Sequence, residues 1–228
     1  MSQKNSIIIS LGGSIIVPDE VNATFLKKFR ELILQNLNKY SKIVIVAGGG
    51  KVCRKYNAAA EKVTKISPEN LDWLGISATK LNAELIRVIF GTLAYEKVIN
   101  NPHQKINTKK RIIIGSGYVP GSSSDLDAVI LAEQYGAKTV INLSNISHVY
   151  NKDPRKYKDA RQIGVMTWKE FKKVIGGKYV PGMNAPFDPV AAKRAEKAGI
   201  RVVVMKGTNL ANFKRFLQKK PFSGTVIG

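Results

Sequence analysis

Cysteine is almost absent from this chain. The 228 residues hold one, Cys53, which excludes an internal disulfide framework and suits a reducing compartment, so a cytoplasmic location is expected. At its place in a helical pattern it reads as a small buried residue rather than a nucleophile. Histidine is nearly as scarce. His103 and His148 stand far apart, no His or Cys pair has metal-ligand spacing, and no protein metal site is expected. No run approaches the roughly 18 consecutive apolar residues of a membrane span. The opening "MSQKNSIIISLGGS" has a short apolar run without a leader's cleavage pattern, and it reads as a strand.

Acidic residues are in deficit: 16 Asp and Glu against 37 Lys and Arg give a net charge of +21. Such a balance attracts polyanions, nucleic acid first among them. The cations are spread along the chain, however, and "NTKKR" and "LQKKP" are short clusters. No basic tail, zinc finger or aromatic RNA-binding signature accompanies them. A lysine-rich solvated surface accounts for the charge, and nucleic acid is not the expected partner. Linkers, repeats and low-complexity tracts are missing too. With 44% hydrophobic residues the chain fills the core of one domain spanning 1–228.

What is present is an alternation of short apolar runs and amphipathic stretches. "SIIISL" (6–11) and "KIVIVA" (42–47) read as buried strands, and "ATFLKKFRELILQNL" (23–37) between them as a helix with Phe25, Leu26, Phe29, Leu32, Ile33 and Leu37 on one face. Val52, Tyr56, Ala59 and Val63 recur at helical spacing after the second strand. Ser67 and Pro68 supply the cap and first-turn proline of a further helix that runs to Phe90 and stops at Gly91. The plan repeats: strand 111–114, helix from about 124 to 135, strand 138–143. Later come "MTWKEFKKVIG" and "DPVAAKRAEKAG" as helices, with Asp188 capping before Pro189, then "IRVVVM" as a strand and "NLANFKRFLQ" as a helix. "FSGTVIG" reads as an edge strand. Strands alternating with helices imply a three-layer α/β sandwich around a mostly parallel sheet, with function in the loops at the strands' carboxyl ends.

Four such loops are rich in glycine, hydroxyls or acids: "LGGS" (11–14), "GGGK" (48–51), "GSGYVPGSSSD" (115–125) and "LSNISHVYNKDP" (143–154). Three consecutive glycines are costly to order and let a backbone approach a ligand closely. With a helix starting at Lys51, their N–H groups and the cations Lys51 and Arg54 make a phosphate cradle, against which stands the simpler reading of a flexible strand-to-helix turn. Gly115, Gly117 and Gly121 imitate a dinucleotide fingerprint, but their G-x-G-x-x-x-G spacing and the intruding Pro120 argue against it. A G-x-x-x-x-G-K-[ST] loop is absent as well. The four loops converge on one anion-binding cleft.

"LGGS", "GGGKVCRKY", "LDWLGISATKLNA", "PGSSSDLDAVILAE", "NISHVYNKDP" and "SGTVIG", in this order and over essentially the whole chain, resemble the amino-acid-kinase superfamily, and within it the uridylate (UMP) kinases of the archaeal-like type. The resemblance implies the amino-acid-kinase (carbamate-kinase-like) fold. It implies transfer of the γ-phosphate of ATP, with Mg2+, to UMP, an N-terminal lobe of about 1–137 holding the acceptor, a C-terminal lobe of about 138–228 holding ATP, and a homohexamer. By motif match Gly13 and Ser14 lie at the ATP phosphates, Gly49 contacts UMP, and Gly50 and Arg54 contact ATP. Asp72 holds the UMP ribose hydroxyls. Tyr118, Val119, Pro120, Gly121, Ser122, Ser123 and Ser124 surround UMP, with one extra residue near Tyr118. Ser144, Asn145, Tyr150 and Asp153 receive the ATP base and ribose. Lys51 and Asp125 are the expected catalytic residues, Lys51 neutralising transferred charge and Asp125 orienting it or approaching magnesium.

The chain departs from the pattern at three places. Ser10 stands where many members have a lysine, Ser147 and His148 replace the first two residues of D-G-V-Y, and Asn184 follows "GM" where amino-acid-accepting relatives place a lysine. Alternatives therefore stand beside the main reading: the same fold with isopentenyl phosphate, a carbamate or an amino acid as acceptor, a basic nucleic-acid-binding protein, or a catalytically silent nucleotide-binding relative.

Overall fold

Runs such as Ile7–Leu11 and Ile43–Ala47 are buried along their whole length, as strands covered on both faces must be. The computed structural model describes residues 5–175 and 185–228. Its elements in chain order are β1 (Ile7–Leu11), α1 (Gly13–Ile16), α2 (Ala23–Asn36), β2 (Ile43–Ala47), α3 (Gly50–Val63), α4 (Pro68–Phe90), β3 (Ile112–Gly115), α5 (Ser124–Gln134) and β4 (Thr139–Ser144). There follow β5 (Val149–Tyr150), β6 (Gln162–Ile163), β7 (Val165–Met166), α6 (Trp168–Ile175), α7 (Pro189–Lys197), β8 (Arg201–Lys206), α8 (Leu210–Leu217) and β9 (Thr225–Ile227). Seven strands form one sheet in the order β3-β2-β1-β4-β8-β9-β7, all neighbours parallel except β8 and β9. Strands β5 and β6 make a separate antiparallel pair.

The period of two along the strands sorts the core into two layers. Ile7, Ile9 and Leu11 join Phe29, Phe90 and Phe213 from α2, α4 and α8 on one face. Ile8, Val44 and Val46 join Ala128 and Leu131 of α5, Phe171 of α6 and Ala191 of α7 on the other. This is the expected three-layer sandwich. Helix signals hold as well. Ser67 Oγ accepts from Asn70 N–H and Pro68 opens α4, which ends on Gly91 at φ 55°. Asp188 caps α7, accepting the Ala191 N–H at 2.7 Å.

The apolar series of α3 marks a helix, as expected, and two other expectations fail. Cys53, read as a buried residue, is only half-buried, because no residue of α3 is buried and its apolar positions Tyr56 and Val63 are 63% and 85% exposed. Periodicity reports that one side is apolar, not what covers it. The closing strand is not an edge either. β9 lies between β8, to which it is antiparallel, and β7, to which it is parallel. Its Thr225 is fully buried and serves as a joint, its hydroxyl accepting the Val149 N–H at 2.8 Å and donating to the Ile163 carbonyl at 2.5 Å. The β5–β6 pair is thereby fastened to the main sheet.

Candidate active site

β1 is central, and the chain leaves it for β2 on one side while β4 flanks it on the other, so a crevice opens where the strand order reverses. The Gly12 N–H reaches across it to the Leu143 carbonyl at 2.9 Å. Here the glycine loops meet each other. A side-chain carbon on Gly13 would lie 2.2 Å from the Gly48 carbonyl oxygen, and one on Gly50, at φ 61°, would lie 2.2 Å from the Gly13 carbonyl carbon. The glycines let loops 12–14 and 48–50 stack backbone on backbone, a demand that a ligand-only account of "GGG" does not contain. Asn82 of α4 secures the crossing by donating to the Gly48 carbonyl at 2.8 Å.

Instead of one cleft, two adjoining pockets occupy this end of the sheet, with Ala185 in the wall of both. The first, of about 250 Å³, is bounded by Gly49, Gly50 and Arg54, by Asp72, and by Ser122, Ser123, Ser124 and Asp125. The second, of about 360 Å³, is bounded by Ser144, Asn145, Tyr150 and Asp153. The two loop groups singled out in the sequence thus separate, one to each pocket. Gly50 and Arg54, expected beside ATP, line the first pocket with Gly49.

Other expected residues stand outside the walls. Gly13 and Ser14 line neither pocket, but Ser14 Oγ accepts from Arg54 Nη2 at 2.9 Å and so aims the guanidinium along the glycine crossing. Lys51 also lines neither; its Nζ sits 3.0 Å from Asp19 Oδ1 in an exposed ion pair that holds the Asp19 carboxyl below the usual range. Tyr118 packs edge-on to His103, and Val119 accepts the Ser122 N–H in a tight turn with Pro120 and Gly121 between them. Gly121 N–H donates to Asp72 Oδ2 at 2.8 Å, which ties the turn to α4. Residues 182–184, with Asn184, lie outside the described residues.

The floor of the first pocket is acidic. Ser10, 3% exposed, points its hydroxyl at Asp125 Oδ1 at 2.9 Å, and the Asp188 N–H donates to Asp125 Oδ2 at 3.2 Å. Desolvation pushes the Asp125 carboxyl up to about 6, and the Asp188 carboxylate adds to the rise while the Ser10 hydroxyl opposes it. Desolvation also raises Asp188. Beside them Asp127 is wholly buried and pushed up to about 7 by desolvation, against the lowering effect of the Ser122 hydroxyl. Among the described residues no three His, Cys, Asp or Glu side chains gather as a metal cluster. In the second pocket, hydrogen bonds from Ser147 and Gln162 lower the Tyr150 phenol, and Arg155, bonded twice to Asp153, lowers that carboxyl. Burial lowers the His148 imidazole, whose Nε2 lies 3.4 Å from Ser223 Oγ.

Sequence reasoning missed several wall residues. Gly75, Ile76 and Thr79 continue the face of α4 that carries Asp72, a spacing readable once Asp72 is chosen. Thr79 Oγ1 accepts the Gly117 N–H at 2.8 Å and so fastens the third loop. Cys53 and Asn57 add to the first pocket, where burial raises the Cys53 thiol, and Lys152 and Arg155 add to the second. Asp127 carries no signal of its own in the sequence.

The profile of the amino acid kinase family matches residues 5–206. Uridylate kinase of Methanospirillum hungatei is 33% identical over 225 residues, covering 97% of this chain and 94% of the relative. Uridylate kinase of Thermoplasma volcanium is 34% identical, with 97% of each chain covered. Among solved structures, uridylate kinase from Archaeoglobus fulgidus superposes with a TM-score of 0.83 at 28% identity, covering 97% of this chain and 99% of that one.

Proposed function

The chain belongs to the amino acid kinase family, and from that membership and the two-pocket geometry we infer that it transfers the γ-phosphoryl group of ATP to UMP, giving UDP and ADP. The observation that carries this reading is the pair of pockets sharing Ala185 at one end of the sheet. In-line phosphoryl transfer needs donor and acceptor sites that adjoin, with preorganised N–H groups and cations at their junction.

The N-terminal lobe, about 1–137, supplies the acceptor pocket, with Asp72 for the ribose hydroxyls, the 118–124 loop around the nucleotide and Gly49 at its phosphate. The C-terminal lobe, about 138–228, supplies the ATP pocket through Ser144, Asn145, Tyr150 and Asp153. Gly13, Ser14, Gly50 and Arg54 lie at the phosphates between them. The support for Arg54 is its hydrogen bond to Ser14 beside the glycine crossing. Lys51 is the second cation, and it must exchange Asp19 for phosphate; exposed pairs of that kind are weakly held. With Ser10 in the lysine position, these two residues carry the charge neutralisation.

Magnesium in phosphoryl transfer is commonly held by one or two carboxylates together with substrate phosphates, and Asp125 beside Asp188 fits that demand. Bound there, the ion would neutralise phosphate charge. Asp125 otherwise keeps the Ser10 hydroxyl oriented at the pocket floor.

The reading extends to a cytoplasmic step of pyrimidine nucleotide synthesis in a homo-oligomer, a hexamer by family resemblance. Support for self-association comes from α3 and α4, whose Tyr56, Val63, Trp73, Leu81 and Val88 are exposed. No helix among the described residues is long and apolar enough to cross a membrane.

An ADP-release assay with MgATP against UMP, CMP, dCMP, isopentenyl phosphate and acetylglutamate tests the proposal. Turnover with UMP far above the others is expected. Turnover with isopentenyl phosphate or acetylglutamate alone would keep the fold and overturn the acceptor.

A further inference from the structure

We propose that Asp127 is a positioning residue: from inside the protein it clasps the acceptor-pocket turn of residues 118–122 through the hydroxyl of Ser122. The inference rests on the first pocket being the phosphate-acceptor site.

Asp127 lies in the first turn of α5 and is fully buried, followed by the apolar core residues Ala128, Val129 and Leu131. A buried carboxyl is costly, whereas an apolar side chain of the same shape would stabilise the position. Its placement therefore needs a partner that repays the desolvation. Ser122 Oγ donates to Oδ1 at 2.8 Å, and the Tyr118 backbone N–H also favours the carboxylate. Oδ2 is buried without a hydrogen-bond partner among the described residues. The hydrogen bond that holds Asp127 thus comes from the end of the turn, at Ser122.

The turn has a second hold. Ser122 N–H closes it on the Val119 carbonyl at 3.0 Å, and the preceding Gly121 N–H donates to Asp72. Adjacent residues, Gly121 and Ser122, are therefore bonded to carboxylates from different helices, α4 on the pocket side and α5 on the core side. Thr79 fastens the approach to the turn at Gly117, which leaves Asp72 holding its tip by one bond, and Asp72 is also the group an acceptor ribose would engage. Asp127 keeps the turn in place independently of that contact. It thereby presents Ser123 and Ser124 to the pocket before any acceptor arrives. Removing the clasp lowers the fraction of protein with a competent pocket, and apparent acceptor affinity falls by that fraction.

The test uses Asp127→Leu, which keeps the shape and removes the acceptor oxygens, Asp127→Asn, which keeps one acceptor, and Ser122→Ala, which breaks the same bond from the loop side. UMP and ATP kinetics are measured with hydrogen exchange of residues 116–124 in the ligand-free protein. Asp127→Leu and Ser122→Ala are each expected to raise the UMP KM about tenfold with the ATP KM and kcat near native. Exchange in the turn should quicken, Asp127→Asn should largely restore both readouts, and the Leu–Ala double variant should be no worse than either alone. Native exchange in Ser122→Ala, or additive losses in the double variant, would overturn the clasp, as would equal changes in the UMP and ATP KM. If Asp127→Leu does not fold, the exchange rate in Ser122→Ala decides alone, because Ser122 also lines the pocket and its UMP KM senses both roles. A native protein silent toward UMP sinks the acceptor assignment, while the exchange measurement still decides the clasp.

Discussion

Gly13 and Gly50 occupy each other's side-chain space: a carbon added to either lies 2.7 Å or less from the other's backbone or its neighbours'. Two loops that arise 37 positions apart in sequence are therefore one object, and the phosphate end of the site is built on their contact.

Gly50→Ala is expected to be severely destabilising. It combines overpacking against backbone, about 1–3 kcal/mol, with a left-handed conformation costing roughly 1–2 kcal/mol more. Gly199→Ala, at the same φ of 61° with open space around it, should cost the conformational part alone. Thermal melts of the two variants compare them directly. Equal losses would show that packing between the loops is unimportant.

Asp72→Asn should raise the KM for UMP about tenfold or more while kcat changes little, because a contact to ribose is equal in ground and transition states. Steady-state kinetics on both substrates check this. A change confined to kcat would remove Asp72 from the ribose.

Arg54→Ala and Lys51→Ala should each lower turnover by about a hundred- to a thousandfold if each acts as one preorganised electrostatic donor. The structure makes the two unequal in what they must give up, since Arg54 is already hydrogen-bonded at the crossing and Lys51 is held by Asp19. Near-native turnover in Lys51→Ala would assign Lys51 to that ion pair and leave Arg54 as the loop cation.

The destabilisation from Asp125 and Asp127 should fade as pH falls from about 8 to about 5. Asp125 and Asp127 have folded-state values of about 6 and about 7 against roughly 3.9 in the unfolded chain. Between those values the folded state binds protons that the unfolded state does not, so the penalty of the buried charge is present above pH 7 and fades below it. Asp127→Asn should stabilise the protein by about 1–3 kcal/mol at pH 8 and have a much smaller effect at pH 5. Melting curves across that range read the difference; a gain independent of pH would contradict the buried charge.

The central layers were legible because buried parallel strands are short apolar runs and the helices between them carry period, cap and stop signals, as in Ser67, Pro68 and Gly91. The walls of the second pocket were legible for the same reason as the loops: Ser144, Asn145, Tyr150 and Asp153 follow one strand in sequence and one pocket in space. What stayed hidden depends on which backbone meets which. That Gly13 needs Gly48 and Gly50 as neighbours is a tertiary fact, and a glycine row looks the same whether it faces phosphate or another loop. Asp127 is silent in the sequence, because only its burial and its bond to Ser122 set it apart from other acids. β9 reads as an edge because its neighbours β8, β7 and the β5–β6 pair are assembled from distant segments.

That last arrangement sets an order of events. Thr225 reaches back 76 positions to Val149 and 62 to Ile163, so the hairpin that carries Tyr150 lacks these two hydrogen bonds until β9 has been made and seated. The glycine crossing and the helices bearing Asp72 and Asp127 are complete within the first 134 residues. A newly made chain would therefore own most of one pocket long before the other, and the donor side would close the folding reaction, since distant pairings are slow to form.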